Sequence, residues 1–424
     1  MAAGHAIQPT QEEIDRLKAQ AAEELGEDAL DQTPLVLLYR DRELFWAISA
    51  DLGVSEGAAA IALAAWIEAR GRGRAISYSR DQHFYRNAGA VGDKLFTYAN
   101  VVGGVDELHR LGLIHHHRVP QATYAQGWRS SFRGTDQLVQ AVSAVMTGRP
   151  MPEIVAPRQP VVIRGEDGNP LPLPGNARTE RMTRQMNRIN EALLHVDIRG
   201  PRGRDLRAPC SRIFNLDLKR GGRAYASGGL NWQQMKKEKR HRPGAVAVDG
   251  EPVQEVDFGA LHPTLLYVQA GETPPAGDPY LISGWGEDWR DLTKFTFNVA
   301  LNARCRSASR AVVGSSKEIR ALAEPGTQKA IGCADLLIDN ILAQHRPIAD
   351  MFNNDWGVKL QNIDSRIAMS VMSGMLRKGE VVLPIHDSFM VRASKIGWLE
   401  EEMARAGREV GALPEPSLDR KIAL

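Results

Sequence analysis

An aspartate closes a strand that is otherwise apolar, and this combination restricts the possible folds more than any other feature of the sequence. The stretch EVDFGALHPTLLY, residues 255–267, carries Glu255 and Asp257 on a strand pattern and continues as an apolar helix. An unpaired carboxylate is costly to remove from water, so this aspartate must meet a cation, a metal ion or open solvent. The simplest role for Asp257 is the N-cap of the helix, with Glu255 as a bystander on the strand.

A second strand-borne aspartate changes this interpretation. The stretch VVLPIHDSFMVRA, residues 381–393, places His386 and Asp387 between two apolar strands, which predicts a hairpin with Asp387 at its tip. Two such aspartates from distant parts of the chain can converge on hard divalent cations, which prefer oxygen ligands. Two ions about 3.5–4 Å apart can clamp an in-line displacement at phosphorus. We therefore predict that Asp257 and Asp387 hold two Mg²⁺ ions, with Mn²⁺ as an alternative.

A third stretch lies between the two aspartates. WRDLTKFTFNVALNA, residues 289–303, has the pattern of a helix in which Arg290 and Lys294 are four residues apart and share a face. Two cations fixed on one face can hold a triphosphate and stabilise the charge on a leaving pyrophosphate. Taken alone, such a pair is more often only a solvated surface.

The order of these three stretches resembles the palm and fingers of the family A DNA polymerases and of the phage-type single-subunit RNA polymerases. Asp257-Phe258-Gly259 resembles motif A of that superfamily, and His386-Asp387 resembles its motif C. Motif B resembles the helix with Arg290 and Lys294, except that Asn302-Ala303 stands where Tyr-Gly is usual. GGRAYASGGLNWQ, residues 221–233, loosely resembles the stretch that contacts the primer–template duplex.

The resemblance implies a nucleotidyltransferase that adds nucleotides to a primer by two-metal-ion catalysis. The roles it implies are catalysis by Asp257, Asp387 and His386; metal binding by Asp257, Asp387 and the Phe258 carbonyl; triphosphate binding by Arg290 and Lys294; sugar and base-pair selection by His262 and Asn302; and nucleic-acid binding by Arg223, Lys219 and Arg220. The implied partners are nucleoside triphosphates and a primer–template of DNA or RNA/DNA. The sequence shows no acidic cluster for a proofreading exonuclease.

The sugar preference stays open because the departures from the family point in two directions. His262 stands five residues after Asp257, where DNA polymerases often have a glutamate that crowds the sugar 2′ position. A bulky residue there favours deoxynucleotides, although His262 could equally pack beside Pro263. Motif C, in contrast, lacks the glutamate that DNA polymerases often carry after the aspartate and is closer to the RNA polymerase form.

The predicted fold class is α+β, a right-hand polymerase-like palm with reduced fingers behind a mainly helical winged helix-turn-helix-like N-terminal domain. The expected segments are an acidic helix (1–30), a winged-helix-like domain (31–147), a proline-rich linker and hairpin (148–175), a basic thumb-like region that contacts nucleic acid (176–250), and the palm with a small fingers insertion (251–424). Candidates for phosphate contact in the second segment are Arg80, His83, Arg110, Arg129 and Arg133.

Composition supports a nucleic-acid partner locally rather than globally. The formal net charge is only +2, but residues 158–242 contain 19 Lys/Arg against 8 Asp/Glu, and a basic block can track a phosphate backbone. The three cysteines form no CxxC pair, which argues against a zinc site and a disulfide scaffold. No signal pattern or membrane-length apolar run is present, so we expect a cytoplasmic protein without a membrane partner. Protein partners are unknown.

Three other functions are compatible with parts of this pattern. An RNA-synthesising primase or single-subunit RNA polymerase would use the same aspartates with ribonucleotides. A DNA-binding regulator would keep the palm only as a scaffold, and intact Asp257 and Asp387 argue mildly against it. A metal-dependent nuclease could use the same carboxylates, but it needs no triphosphate clamp such as Arg290 and Lys294.

Overall fold

The computed structural model of the protein describes residues 10–26, 32–39, 41–71, 73–88, 95–120, 129–227, 231–322 and 327–421. The chain divides into two compact units. The first comprises Met1–Asp217 and Ala224–Val253 with the last two residues of the chain, and the second comprises Leu218–Arg223 and Gln254–Ile422. The five-segment division predicted from the sequence stays a prediction.

The first unit opens with helices and short strands. These are α1 (Gln11–Leu25), β1 (Thr33–Pro34), α2 (Arg42–Leu52), α3 (Glu56–Arg70), β2 (Ile76–Ser77), α4 (Gln82–Ala88), α5 (Tyr98–Arg110), β3 (Ile114–His117), β4 (Ser131–Gly134) and α6 (Asp136–Met146). The strand order is β1-β2-β4-β3, in which only the β1–β2 pair is parallel. Helix α2 is capped at both ends, since Asp41 accepts from the Leu44 N–H and Gly53 is left-handed.

Helix α3 forms the centre of this part of the first unit because apolar residues cover nearly all of its surface. Ile61 and Leu63 are fully buried, and Trp66 is almost so. Helix α5 buries a stripe of Val101, Val105 and Leu108. Within the residues described here, no single helix is long and apolar enough to span a membrane; α2 and α3 meet that requirement only as a pair bent by 96°. The cytoplasmic location stays a prediction.

The remainder of the first unit contains a second small sheet and a long helix. Its elements are β5 (Val161–Arg164), β6 (Pro170–Leu171), α7 (Ala177–His195), β7 (Ile198–Arg199), β8 (Cys210–Asn215), β9 (Gly221–Ala226), α8 (Lys237–Arg240) and β10 (Ala247–Val248), with the first residues of β9 in the second unit. The order in this sheet is β6-β5-β8-β9, with β5 antiparallel to β6 and parallel to β8. The hairpin predicted within the proline-rich stretch is therefore confirmed.

The second unit carries the strands that end in aspartate. Its elements are β11 (Glu251–Phe258, entering from the first unit), α9 (Leu261–Ala270), α10 (Arg290–Asn302), α11 (Arg306–Gly314), α12 (Lys317–Leu322), α13 (Thr327–Gln344), α14 (Trp356–Arg377), β12 (Leu383–Ile385), β13 (Ser388–Arg392), α15 (Ile396–Gly411) and β14 (Leu418–Lys421). Strand β11 lies next to β13, which forms an antiparallel hairpin with β12. Strand β14 pairs with β11 in antiparallel register, with Asp257 opposite Asp419.

Turn chemistry sets both hairpins of this region. Asp249 and Gly250 both have positive φ, the geometry of a two-residue turn that matches strand twist, and they join β10 and β11 as an antiparallel hairpin. In the β12–β13 hairpin, His386 has a φ of 61°, and Asp387 follows it at the tip as predicted. Helix α9 begins after Ala260, which makes no side-chain cap bond. Asp257 is therefore not the N-cap that its position first indicated.

Two adjacent glycines of α5 give a matched test of the packing between α3 and α5. A Cβ on Gly104 would lie 2.9 Å from the Ala58 backbone nitrogen, whereas a Cβ on the exposed Gly103 would meet nothing within 4 Å. We expect Gly104→Ala to destabilise the first unit by about 1–3 kcal/mol through overpacking. Gly103→Ala should stabilise it by about 0.5–1 kcal/mol through helix propensity. Hydrogen exchange of α3 and α5 peptides measures both, and equal effects would contradict the close packing.

Candidate active site

The structure brings Asp257 and Asp387 together at one end of the β11–β13 pair. The Phe258 N–H donates to the Asp387 carbonyl at 3.4 Å, so the end of β11 lies directly beside the hairpin tip. Both aspartates are partly buried. Two carboxylates are thus placed next to each other in surroundings that water reaches only in part, which is an electrostatically unfavourable arrangement unless a cation joins them.

The electrostatic environment of Asp257 shows this cost. Burial, and then the charge of Asp387, raise the pKa of Asp257 to about 6, while Lys421 opposes the shift. The Lys421 ammonium lies 3.3 Å from Asp257 Oδ2. The other oxygen, Oδ1, is buried and has no hydrogen-bond partner within the described part of the chain. A buried carboxylate oxygen without a donor is the position at which a bound cation would complete the coordination.

The donor set fits magnesium better than a metal that needs an all-protein cage. No group of three or more His, Cys, Asp or Glu side chains is arranged for metal binding among the residues that the structure describes. Magnesium keeps several waters and is commonly held by one or two carboxylates together with substrate phosphates. The pair Asp257 and Asp387, with the unpartnered Oδ1, is sufficient for that mode of binding.

Glu255 has a structural role that the sequence did not reveal. The Ser388 hydroxyl donates to Glu255 Oε1 at 2.8 Å in a buried position. This bond joins β11, two residues before Asp257, to β13, one residue after Asp387. It therefore helps to hold the two aspartates in register, and Glu255 is not a bystander. The pairing could not be inferred locally because the partners are 133 residues apart in the chain.

Lys421 was also missed by sequence reasoning. It lies on β14, where it is paired in register with Glu255, and its ammonium is near both Asp257 and, at 4.0 Å, Asp419. Nothing in the local sequence around Lys421 indicates a site residue, because its position depends wholly on the antiparallel pairing of β14 with β11.

The predicted cationic face of α10 is present and is organised by an aromatic ring. Arg290 and Lys294 lie over the Tyr280 ring, at 5.6 and 5.4 Å from its centroid, a geometry that attracts cations to the ring face. Arg290 also forms an ion pair with Asp278. The two cations consequently share one location, as the four-residue spacing predicted.

Tyr280 connects this cationic face with the carboxylates. Burial raises the pKa of its phenol, and the charges of Asp278, Asp387 and Asp257 raise it further. The ring is 6% exposed, and it lies close enough to both aspartates to respond to them. Tyr280 was missed because it stands in an irregular segment before α10; the only signal was the position of Asp278-Pro279-Tyr280 ahead of the Arg290 helix.

Arg223 and His262 converge on a carboxylate that the sequence did not single out. Asp364 of α14 has a fully buried side chain and pairs with Arg223, whose Nε lies 3.1 Å from Oδ2. His262 Nε2 lies 2.8 Å from the same oxygen. The residues predicted for duplex contact and for sugar selection are therefore joined through one buried group.

The other predicted site residues are placed less tightly. The Asn302 amide is exposed and donates to the Asn298 carbonyl of its own helix at 2.8 Å. His386 is partly buried at the hairpin tip beside Asp387. Lys219 is exposed and Arg220 partly so, in the turn before β9. The role predicted for the Phe258 carbonyl stays a prediction.

Comparisons with known proteins give a distant structural likeness. No protein-family model matches the sequence, and no curated protein matches it. Solved structures that match include the POL domain of Pol1 from M. smegmatis in complex with DNA primer-template and dNTP, at a TM-score of 0.33 and 10% identity. The match covers 96% of this chain, which spans 65% of that chain. A likeness this distant assigns no activity, so the residues of the site must carry the functional argument.

The raised pKa of Asp257 predicts how pH affects the metal-free protein. Because this pKa rises from 3.8 to about 6, the folded protein keeps a proton between those values that the unfolded chain has released. The free energy of unfolding in EDTA should therefore fall by about 2–3 kcal/mol from pH 4 to 6, relative to Asp257→Asn, and stay lower above pH 6. Urea unfolding at each pH measures this free energy, and Asp350→Asn, at an exposed position, is the control. Parallel wild-type and Asp257→Asn curves would contradict the assignment.

Proposed function

We propose that this chain is a nucleotidyltransferase that extends a primer with nucleoside triphosphates, most closely a small family A-like DNA polymerase without proofreading. The observation that carries the proposal is the buried, unpartnered Oδ1 of Asp257 beside Asp387. The cations of α10 supply a second feature, because they share Tyr280, whose pKa responds to both aspartates. The site thus combines carboxylates for metal ions with cations for phosphates.

Asp257 and Asp387, with the Phe258 carbonyl, would hold two magnesium ions. When bound, these ions lower the pKa of a primer 3′-hydroxyl and neutralise the triphosphate. Arg290 and Lys294 bind the β- and γ-phosphates and stabilise the charge that develops on pyrophosphate. Tyr280 keeps the two cations at one place and excludes water from the carboxylate side of the phosphates. His386, beside Asp387, positions the primer end.

Selection of the sugar falls mainly to His262. Its side chain is 17% exposed and held by Asp364, so one edge of the ring is available to a substrate. Asn302 bonds to its own helix and would have to change rotamer to take the role that the family resemblance implies.

Arg223, Lys219 and Arg220 contact the nucleic-acid backbone, which makes binding strongly dependent on salt.

The first unit would supply additional contact with DNA. The order α3, β2, α4, α5, β3, β4, with β2 paired to β4, supports a winged-helix-like role, in which α5 would enter a groove. Two of the predicted phosphate contacts are already engaged: Arg80 pairs with Asp106, and Arg133 donates to the Leu25 carbonyl. Contact with a DNA groove would therefore depend on residues of α5 itself, including Arg110 in its last turn.

Incorporation of labelled nucleotides tests the function directly. The protein is incubated with Mg²⁺, primed or unprimed template, and dNTPs or NTPs offered in parallel. We expect extension of a primer, and we expect Asp257→Asn and Asp387→Asn each to reduce kcat/KM by about 10³-fold or more while DNA affinity is retained. Asp350→Asn, exposed and away from β11 and β13, is the control.

The same assay separates the alternative functions. Preferential use of NTPs would identify an RNA-synthesising enzyme, and metal-dependent shortening of the DNA without nucleotides would identify a nuclease. DNA binding without incorporation under any condition would favour the regulator. Undiminished incorporation by Asp387→Asn would refute the site assignment itself.

A further inference from the structure

Asp364 is a fully buried carboxylate whose partners come from two segments that are distant in sequence. Its side chain has no exposed surface, and it contacts Arg223 of β9 and His262 of α9. All three residues belong to the second unit. Burying a charge is unfavourable unless excellent partners compensate for it, so the position of each partner is restricted by the position of this carboxylate.

The carboxylate also determines which nitrogen of His262 carries a hydrogen. Oδ2 of an ionised aspartate can only accept, so the Nε2 atom of His262, 2.8 Å away, must be the donor. The guanidinium nitrogen of Arg223 lies 3.3 Å from the same Nε2, and as a donor it cannot bond to a protonated nitrogen. The other ring nitrogen, Nδ1, has no hydrogen-bond partner among the residues described in the structure.

The backbone of β9 is fixed independently of Asp364. Asn362 of α14 donates to the Gly221 carbonyl at 3.1 Å and to the Leu218 carbonyl at 3.3 Å. These neighbouring bonds hold the glycine segment against α14 without help from the carboxylate. The ion pair of Asp364 with Arg223 is therefore not needed to attach this segment, and Asp364 can be altered without releasing it.

We propose that Asp364 is a positioning residue for sugar selection: it immobilises the His262 ring as a wall against a nucleotide 2′-hydroxyl and fixes its Nε2–H tautomer. This inference rests on the proposed function. A side chain excludes an extra hydroxyl only if it cannot turn aside, and a bond to a buried ion pair restrains the ring. Through the same carboxylate, the orientation of the ring is tied to Arg223, which the proposed function places on the primer–template.

Discrimination between dNTP and NTP is the activity readout, expressed as the ratio of their kcat/KM values in primer extension. We expect Asp364→Asn, which keeps the volume but weakens the bond, to lower the preference for dNTP about tenfold, and His262→Ala to lower it at least as much. In the His262→Ala background, Asp364→Asn should have no further effect on the ratio. Asn362→Ala, which disturbs the same contact of α14 with β9, should leave the ratio unchanged.

Nitrogen-15 NMR of histidine-labelled protein gives a readout independent of activity. The His262 signal, assigned by its loss in His262→Gln, should show a protonated Nε2, and Asp364→Asn should alter that signal. A protonated Nδ1 with an unprotonated Nε2 in the wild type would overturn the proposal. An unchanged dNTP-to-NTP ratio of kcat/KM in Asp364→Asn would also overturn it. The same holds if Asp364→Asn changes this ratio equally in the wild type and in the His262→Ala background.

Primer extension by the wild type distinguishes a wrong role for Asp364 from a wrong function for the protein. If the wild type extends a primer but the variants leave the ratio unchanged, the role of Asp364 is wrong and the proposed function stands. If the wild type incorporates neither nucleotide, the proposed function fails, and the sugar-selecting role of Asp364 is overturned with it.

Discussion

The burial of Asp257 beside Asp387 is the constraint on which the rest of the site depends. Removing one carboxylate from water and placing another next to it raises the pKa of Asp257 to about 6, which is an unfavourable arrangement for a metal-free protein near neutral pH. Proteins keep such arrangements mainly where charge is needed for function. A pair of divalent cations would remove the repulsion and use the buried oxygen that the protein itself leaves without a donor.

The surrounding elements can be understood from this requirement. The buried bond from Ser388 to Glu255 keeps the two strand ends in register, and β14 supplies Lys421 to compensate part of the charge. Arg290 and Lys294 both lie over the Tyr280 ring. The second unit therefore carries a carboxylate pair and a pair of cations, and Tyr280 is the residue whose pKa responds to groups of both kinds.

Local chemistry made much of the second unit predictable. The Asp249-Gly250 turn, the hairpin tip at His386-Asp387 and the shared face of Arg290 and Lys294 each depend on residues close together in sequence, and the structure shows all three. The helix-cap role of Asp257 failed because α9 starts three residues later than the end of β11. The start of a helix after a strand depends on the turn between them, which the local pattern did not define.

Long-range partners account for what was missed. Three features of the site depend on partners more than a hundred positions away in the chain: Asp364, Lys421 and the bond between Glu255 and Ser388. In the sequence each is an ordinary charged residue, and no periodicity marks it. Tyr280 was missed for a different reason, since it lies in an irregular segment where neither helical nor strand pattern assigns a face.

The positions of bound metal ions show whether Asp257 and Asp387 form the catalytic centre. Crystals grown with Mn²⁺, a primer–template and a non-hydrolysable dNTP analogue give an anomalous signal at the manganese edge that locates the ions without reference to turnover. We expect peaks within about 2.0–2.3 Å of Asp257 Oδ1 and of a carboxylate oxygen of Asp387. Ordered nucleotide with no manganese peak at these oxygens, or peaks only elsewhere in the protein, would contradict the assignment of this pair as the catalytic centre.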